Sequence, residues 1–259
     1  GLNMRSHSWG SKMSRIVKSS KAAIRITDAA IPLLALVTAL CAACNGRSSQ
    51  NQPPADAAAA EHEHSTGAEH AFPHPQHYAD RLDDPERDAW QKPGEVVEML
   101  ACEAGMVAAD IGAGTGYFLS ALSEAVGPAG TVLGLDIEPT MVERMTARIE
   151  QDALLNARAA TVEPNDPGLE PASVDRVLIV NTWHHIPERT AYARKLRPAL
   201  RPGGRLLIVD FTMESPHGPP PQMRLTIDTV RAELEAAGFT TEVLEESLPY
   251  QYVVAAEVP

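Results

Sequence analysis

Two kinds of apolar pattern alternate along the chain from residue 79 to its last residue. Short, nearly continuous apolar runs are typical of strands buried on both faces of a parallel sheet, and segments with apolar positions at helical spacing separate them. This alternation predicts an α/β domain over residues 79–259, with a mostly parallel sheet flanked by helices. We predict strands at 106–109, 131–136, 159–162, 175–180, 205–210, 240–244 and 252–256. We predict helices at 88–101, 117–126, 139–151, 189–200 and 226–237.

The amino-terminal residues follow a different pattern. Residues 1–28 carry six lysines and arginines against one aspartate, and residues 29–43 form an uncharged apolar run that ends in small residues before Cys44. As a helix this run would be about 22 Å long, which is short of the roughly 30 Å hydrocarbon core of a bilayer. A basic region, a short apolar region and a small-residue region together predict a secretory signal sequence.

Residues 40–44 read Leu-Cys-Ala-Ala-Cys and resemble the lipobox of bacterial lipoproteins, although Cys41 stands where leucine is usual. The resemblance implies that residues 1–44 are a signal peptide ending in a lipobox. It also implies a lipid anchor at Cys44 and a membrane lipoprotein that faces the periplasm at the cell envelope. An uncleaved membrane anchor, or an unprocessed tail on a cytoplasmic protein, stays open as an alternative.

Residues 45–78 are rich in alanine, proline, glutamine, serine and histidine and contain few large aliphatic side chains. This composition predicts a disordered tether, because too little apolar surface is available to offset the entropy of ordering. Five histidines fall within residues 62–77 and could bind Zn²⁺, Cu²⁺ or Ni²⁺ loosely. Their spacing fits no defined ligand set, so we predict a solvated linker and no metal site.

Charge indicates which classes of partner the predicted domain can bind, and the cysteine count shows whether it can form an internal disulfide. The chain has a formal net charge of −12 although its amino terminus is basic, so the predicted domain is strongly acidic. An acidic surface is repelled by phosphate backbones, which argues against a nucleic-acid partner and favours a small molecule. Cys102 is the one cysteine after Cys44, so the predicted domain has no internal disulfide.

Residues 110–116, Asp-Ile-Gly-Ala-Gly-Thr-Gly, join the first predicted strand to a predicted helix. A glycine turn between a strand and a helix is typical of nucleotide sites, because glycine lets the backbone approach a ligand closely. The spacing differs from the dinucleotide fingerprint, whose third glycine would fall at Tyr117. A nicotinamide-dependent oxidoreductase is therefore a less favoured alternative.

Asp136 ends the second predicted strand, 24 residues after Gly112. An acid at this place in an α/β fold is the usual acceptor of hydrogen bonds from ribose hydroxyls. The glycine turn and Asp136 together predict a site for a ligand that contains a nucleoside.

Four landmarks in this order carry a resemblance to the class I S-adenosylmethionine (SAM) methyltransferases. They are the D-x-G-x-G-x-G motif at 110–116, Ser-Val-Asp-Arg-Val at 173–177, Leu-Arg-Pro-Gly-Gly-Arg-Leu at 200–206 and Glu-Ala-Ala-Gly-Phe at 235–239. The closest resemblance is to the group that includes the quinone-biosynthesis C-methyltransferases. It implies a Rossmann-like, doubly wound, mostly parallel seven-stranded sheet with helices on both faces. It also implies SAM as cofactor and methyl transfer to a small-molecule acceptor, whose identity the motifs do not reveal.

The resemblance also implies roles for particular residues. Asp110 and the glycines of the turn would line the methionine moiety, Asp136 would hold the ribose, and Ile137 would pack on the adenine. The segment after the third strand departs from the family's G-D-[AV] pattern, so either Asn165 or Asp166 could contact the adenine amino group. The predicted cofactor-binding residues are Asp110, Gly112, Gly114, Gly116, Asp136, Ile137, Asn165, Asp166 and Asn181.

His184 and His185 follow the fourth predicted strand, at the edge of the sheet where open α/β folds bind ligands. Histidine suits general-base catalysis near neutral pH, so either residue is a candidate catalytic base. The alternative is that one histidine caps the next helix while the other packs against Trp183. A catalytically inactive SAM-binding module at the cell envelope is a second functional alternative, since SAM is a cytosolic metabolite.

Overall fold

The protein was analysed as a computed structural model, which describes residues 82–259. The predicted signal peptide, lipobox and His-rich tether lie outside the described residues, as do the first three residues of the predicted domain. Within residues 82–259, none of the helices has the length and apolar character required to cross a bilayer.

A seven-stranded sheet forms the centre of the domain, in the order β3-β2-β1-β4-β5-β7-β6. The first five strands run parallel, and β7 pairs antiparallel with both β5 and β6. The strands are β1 (Val107–Ile111), β2 (Thr131–Asp136), β3 (Ala157–Thr161), β4 (Val174–Val180), β5 (Leu200–Phe211), β6 (Thr240–Val243) and β7 (Gln251–Glu257). The predicted α/β fold, with a mostly parallel seven-stranded sheet, is confirmed.

Helices cover both faces of the sheet. They are α1 (Asp88–Gln91), α2 (Pro93–Leu100), α3 (Leu119–Val126), α4 (Pro139–Gln151), α5 (Arg189–Ala199) and α6 (Ile227–Ala236). One apolar core joins α2, α3 and α4 to the sheet and contains Leu100, Leu122 and Met145. The other joins α5 and α6 to the opposite face and contains Trp183 and Leu196. The continuous apolar runs of the central strands are therefore explained by burial from both sides.

The single helix predicted at 88–101 is wrong, because the structure contains two helices, α1 and α2. Lys92 separates them in the left-handed conformation, with φ of 44°. Pro93 is the cause, since a proline disfavours the helical conformation in the residue before it and provides no N–H for the preceding turn.

The carboxyl edge of the sheet gathers most of the residues that the sequence predicts to bind or react. Parallel pairing aligns Ile111 with Leu135, and Asp110 with Leu178, so the ends of β1, β2 and β4 meet at one edge. The glycine turn and the His184–His185 pair follow these strand ends, and Asp136 is the last residue of β2. Ligands of open α/β folds bind at this edge, so the site description begins there.

Candidate functional site

The glycine turn after β1 depends on backbone conformations that favour glycine. Gly112, Gly114 and Gly116 have φ of 70°, 57° and 83°, and other residues rarely adopt this region. A Cβ atom on Gly112 would collide with the side chain of Thr182, which follows β4. The turn is therefore packed directly against the end of β4, and no larger residue fits at position 112.

Asp110 is a buried carboxylate at the start of this turn, on the last part of β1. Its Oδ2 is buried and accepts no hydrogen bond from any side chain or backbone group within residues 82–259. Burial raises the pKa of Asp110 to about 7, against the favourable charge of Arg87, and the charge of Asp136 raises it further. A buried carboxylate with an unused acceptor fits a cationic ligand group, and the α-ammonium of SAM is such a group.

Asp136, at the end of β2, forms a hydrogen bond with the backbone of the glycine turn. Its Oδ2 accepts a hydrogen bond from the Gly114 N–H at 2.8 Å, and its Oδ1 accepts one from the Glu138 N–H at 3.0 Å. Burial raises the pKa of Asp136, while these backbone hydrogen bonds lower it. A carboxylate has about four acceptor positions, so Asp136 keeps acceptor capacity for a hydroxyl donor. Ile137, predicted to contact adenine, is 38% exposed beside it.

Asn165 and Asp166 lie in the loop after β3 and are both exposed. Asp166 accepts a hydrogen bond from the Gly168 N–H at 2.9 Å and pairs with Lys195 at 3.4 Å, and the Lys195 Nζ also donates to the Asn165 carbonyl oxygen at 2.6 Å. The Gly168 hydrogen bond is the main cause that lowers the pKa of Asp166. Lys195 thus ties the loop to α5.

Residues 82–91, which we call the covering segment, run across the carboxyl edge in front of the glycine turn. Asp83 accepts hydrogen bonds from the Thr115 hydroxyl at 2.6 Å and from Arg148 of α4 at 2.5 Å. The Arg87 guanidinium lies over the Tyr117 ring, with its Cζ 3.9 Å from the ring centroid. These contacts hold the covering segment to both the turn and α4.

Three amide side chains connect the covering segment to the other half of the edge. Asn181 donates to Gln91 at 3.0 Å, Gln91 donates to Gln251 at 2.9 Å, and Gln251 donates to Asn181 at 2.7 Å. We call this closed cycle the amide ring. Asn181 has a φ of 55°, a conformation that asparagine tolerates better than most residues. The predicted ligand residue Asn181 therefore uses both amide atoms within the protein.

His184 forms a polar pair with Asp210 at the carboxyl edge. Its Nδ1 lies 2.9 Å from Asp210 Oδ1 at the end of β5, and the two side chains are only 2% and 3% exposed. His185 is exposed, and its ring centroid is 4.1 Å from that of His184. The two candidates are thus distinguished, since His184 has a carboxylate partner that orients its ring. Both histidines belong to the short 3₁₀ turn Trp183–His185.

Trp183 anchors that turn to the face of the sheet that α5 and α6 cover. Its indole Nε1 donates to Glu233 of α6 at 2.9 Å, and Arg189 of α5 pairs with the same carboxylate at 2.8 Å. The Trp183 ring also contacts Tyr192, with the two ring centroids 6.4 Å apart.

An aromatic group lies at the outer end of β5. The Trp90 ring stacks on His217 with centroids 5.1 Å apart, and Tyr250 lies 4.9 Å from His217. Phe211 contacts Trp90 from the strand end, at 6.1 Å. In the described part of the chain, no group of three or more histidine, cysteine, aspartate or glutamate side chains is placed to hold a metal ion.

Sequence reasoning missed several residues of this edge: Arg87, Gln91, Asp210, Glu233 and Gln251. None belongs to a local motif, and each reaches its partner through the fold. Gln91 and Gln251 are 160 positions apart. The sequence does contain one signal that could have identified Asp210, which is a polar residue in the apolar segment that forms the end of β5.

A family model described as a methyltransferase domain matches residues 109–206 of this chain. That range contains Asp110, Asp136 and His184, and it ends within β5. Among solved structures, a SAM-dependent methyltransferase from Aquifex aeolicus superposes with a TM-score of 0.68 and 29% identity, over 72% of this chain and 99% of that one.

Two curated relatives match parts of the chain. An uncharacterised 37.1 kDa protein in transposon TN4556 of Streptomyces fradiae is 32% identical over 154 residues, which are 58% of this chain and 40% of that protein. A demethylmenaquinone methyltransferase of Lactococcus lactis is 27% identical over 125 residues, which are 48% of this chain and 49% of that enzyme. The chain therefore spans about half the length, or less, of these relatives.

Proposed function

We propose that this chain, which contains a class I SAM-dependent methyltransferase domain, transfers the methyl group of SAM to a small-molecule acceptor. The observation that carries the proposal is the buried Asp110 carboxylate, with an unused acceptor at the foot of the glycine turn. A cationic ligand group is the partner that this carboxylate lacks. The comparisons do not favour an inactive module or a nicotinamide-dependent oxidoreductase.

The residues at the ends of β1 and β2 fit the cofactor. Asp110 suits the ammonium group, the backbone of the glycine turn suits the methionyl chain, and Asp136 suits the ribose hydroxyls. When bound, SAM supplies a methyl group that its sulfonium already activates. The protein then has mainly to hold the acceptor atom in line with that methyl group, about 3 Å away.

The acceptor would be oriented and deprotonated from the β4 and β5 ends. If Asp210 accepts the Nδ1–H of His184, the neutral ring keeps the lone pair of Nε2, which is the form that a general base requires. Because the pair is nearly covered, the acceptor would have to displace part of the cover to reach it. The relationship to the Lactococcus enzyme supports an acceptor similar to those of the quinone-biosynthesis C-methyltransferases.

Calorimetry on the purified chain tests the cofactor assignment. We expect SAM and S-adenosylhomocysteine to bind with micromolar dissociation constants. Asp136→Ala should weaken both by roughly 1.5–3 kcal/mol, or about 10- to 150-fold, because ribose hydroxyls lose a charged acceptor. Glu103→Ala is the matched control, since Glu103 is an exposed acid before β1, at the opposite edge. Absence of both binding heat and thermal shift with either ligand would refute the proposal.

We also propose that Cys44 carries a lipid anchor that holds the protein at the cell envelope. The support is the basic, apolar and small-residue order of residues 1–44. Expressed in a Gram-negative host, the chain should incorporate radiolabelled palmitate and partition into detergent, and Cys44→Ala should do neither. Several acyl chains bind a membrane far more strongly than one, so the partitioning should be complete. A soluble, unlabelled, full-length product from the wild type would contradict this proposal.

A further inference from the structure

His217 is the exposed member of the aromatic group, and it lies in the loop of residues 212–224 that follows β5. Its backbone is held in place, because its N–H donates to the Ser215 hydroxyl at 3.1 Å and its carbonyl oxygen accepts from Arg224 at 3.0 Å. Its ring is within 7° of parallel to the Trp90 ring, with the centroids 5.1 Å apart. Offset stacking of this kind contributes modestly to stability. Rotation of the side chain can therefore remove the ring from Trp90 while the loop backbone stays in place.

The loop that carries His217 is packed against β5 and offers no cation for a ligand. A Cβ atom on Gly218, whose φ is 86°, would collide with the Phe211 ring, so the loop backbone lies directly on that ring. Arg224 is the one basic side chain of the loop apart from His217, and its guanidinium donates to carbonyl oxygens of the loop itself. Glu214 adds an exposed negative charge. An anionic ligand is therefore disfavoured beside His217.

The aromatic group borders the polar groups of the carboxyl edge through adjacent residues on three elements. Trp90 and Tyr250 each precede a glutamine of the amide ring. Phe211 follows Asp210, which pairs with His184. A flat group that stacks on Trp90 is therefore held next to the elements that carry the amide ring and the proposed general base.

We propose that the His217 ring holds the place of the acceptor, and that an uncharged planar aromatic acceptor binds there by displacing His217 and stacking on Trp90. This inference rests on the proposed function and adds the binding place and the ring shape of the acceptor. The parallel stack on Trp90 shows that this face accepts a flat ring, and Tyr250, inclined by 52° to His217, borders the same place. A ring larger than imidazole buries more apolar surface, so it should displace His217.

Calorimetry on the chain saturated with S-adenosylhomocysteine tests the ring shape with two probes. 2-Naphthol is planar, aromatic and uncharged at neutral pH, and decahydro-2-naphthol has the same carbon skeleton without planar rings. The wild type should bind 2-naphthol about 2- to 12-fold more tightly than decahydro-2-naphthol, the preference expected from one stacked aromatic pair. Trp90→Leu should abolish this preference, and Trp90→Phe should keep part of it. A preference that persists in Trp90→Leu would contradict stacking on Trp90.

His217→Ala tests the displacement by the direction of its effect. Because this variant has no ring to displace, it should bind 2-naphthol about 2- to 12-fold more tightly than the wild type does. Glu214→Ala is the matched control, since it changes an exposed side chain of the same loop outside the aromatic group, and it should leave the affinity unchanged. Unchanged or weaker binding in His217→Ala would overturn the inference, because His217 would then be structural or would itself contact the acceptor.

Proton NMR gives a readout of the displacement that does not depend on affinity. The Trp90 ring shields protons stacked on its face, so the ring signals of His217 should lie upfield of those of a free histidine. The signals are assigned by their loss in His217→Ala. Saturating 2-naphthol should move them towards the values of free histidine, and signals that stay upfield would overturn the inference.

The same experiments separate this inference from the proposed function. If the wild type does not bind S-adenosylhomocysteine, the proposed function itself fails. If it binds S-adenosylhomocysteine and does not bind 2-naphthol, only the inference is wrong. Tighter binding of tetramethylammonium than of 2-naphthol would also overturn the inference, because the aromatic group would then serve as a site for a cation.

Discussion

The two halves of the carboxyl edge differ in how their buried polar groups are satisfied. In the half formed by the ends of β1 and β2, Asp110 is buried with a carboxylate oxygen that accepts no hydrogen bond from any described residue. In the half formed by the ends of β4, β5 and β7, the buried groups satisfy one another. His184 pairs with Asp210, and the three amides close their ring.

This difference indicates where the protein is prepared for a ligand of fixed structure. An unsatisfied buried charge costs free energy, so its presence indicates that a partner from outside completes it. A satisfied network is stable by itself and must be partly displaced before it can contact a substrate. The first half, which we call the cofactor half after its proposed ligand, is thus preorganised for a ligand. The second, which we call the acceptor half, satisfies its polar groups within the protein.

The largest effect that would sharpen this comparison concerns His184 and Asp210. If the pair acts as a general base, His184→Gln should lower turnover by about 10²–10⁴ while the affinity for S-adenosylhomocysteine stays within about twofold. Asp210→Asn should act in the same direction, because the ring loses the carboxylate that orients it. Radiolabelled methyl transfer to an acceptor found by product screening provides the rate.

His185→Gln serves as the control, since the exposed neighbour has the same chemistry on the same turn. It should leave the rate within a few-fold of the wild type. Near-normal turnover in His184→Gln, accompanied by a lower melting temperature, would mean that the pair is structural. The acceptor half would then contribute only proximity to the methyl group.

The cofactor half was readily predicted from the sequence because its residues are neighbours in the chain. A strand, three glycines and an acid within residues 107–116 specify a turn by local conformation alone. The fold class predicted from such motifs is confirmed, and the methyltransferase-domain model that matches residues 109–206 supports the proposed activity. The individual roles of the predicted ligand residues stay predictions.

The acceptor half was not predictable in the same way because its contacts join distant parts of the chain. His184 was found by its place after β4, but its partner Asp210 lies 26 residues further on. The amide ring joins residues from three elements, so no periodicity or spacing reveals it. The break at Lys92 was missed for another reason, since apolar residues continue on both sides of Pro93 and favour one helix.

A smaller effect, on stability, tests whether Asp110 is held ready for a ligand. The pKa of Asp110 is raised to about 7 in the folded protein, chiefly by burial, whereas an unfolded aspartate titrates near 3.9. Between these values the folded state holds a proton that the unfolded state has lost. The free energy of unfolding of the ligand-free protein should therefore fall as pH rises from about 4 to about 7, and Asp110 should contribute no further change above that range.

Asp110→Asn removes this titration while keeping the shape of the side chain. At pH 8 the ligand-free variant should be more stable than the wild type by a few kcal/mol, since each pKa unit is worth about 1.4 kcal/mol, and the difference should shrink towards pH 5. The same variant should lose affinity for S-adenosylhomocysteine, because a neutral amide cannot neutralise the ammonium. In the wild type, the affinity for S-adenosylhomocysteine should fall as pH drops below about 7.

Urea unfolding at several pH values, with and without S-adenosylhomocysteine, measures both the stability and the binding trend. Glu103→Gln controls for the removal of an exposed acid. Parallel stability profiles for wild type and Asp110→Asn would show that this carboxylate is not destabilised in the folded state. The distinction between a cofactor half with an unsatisfied buried carboxylate and an acceptor half with satisfied polar groups would then be wrong.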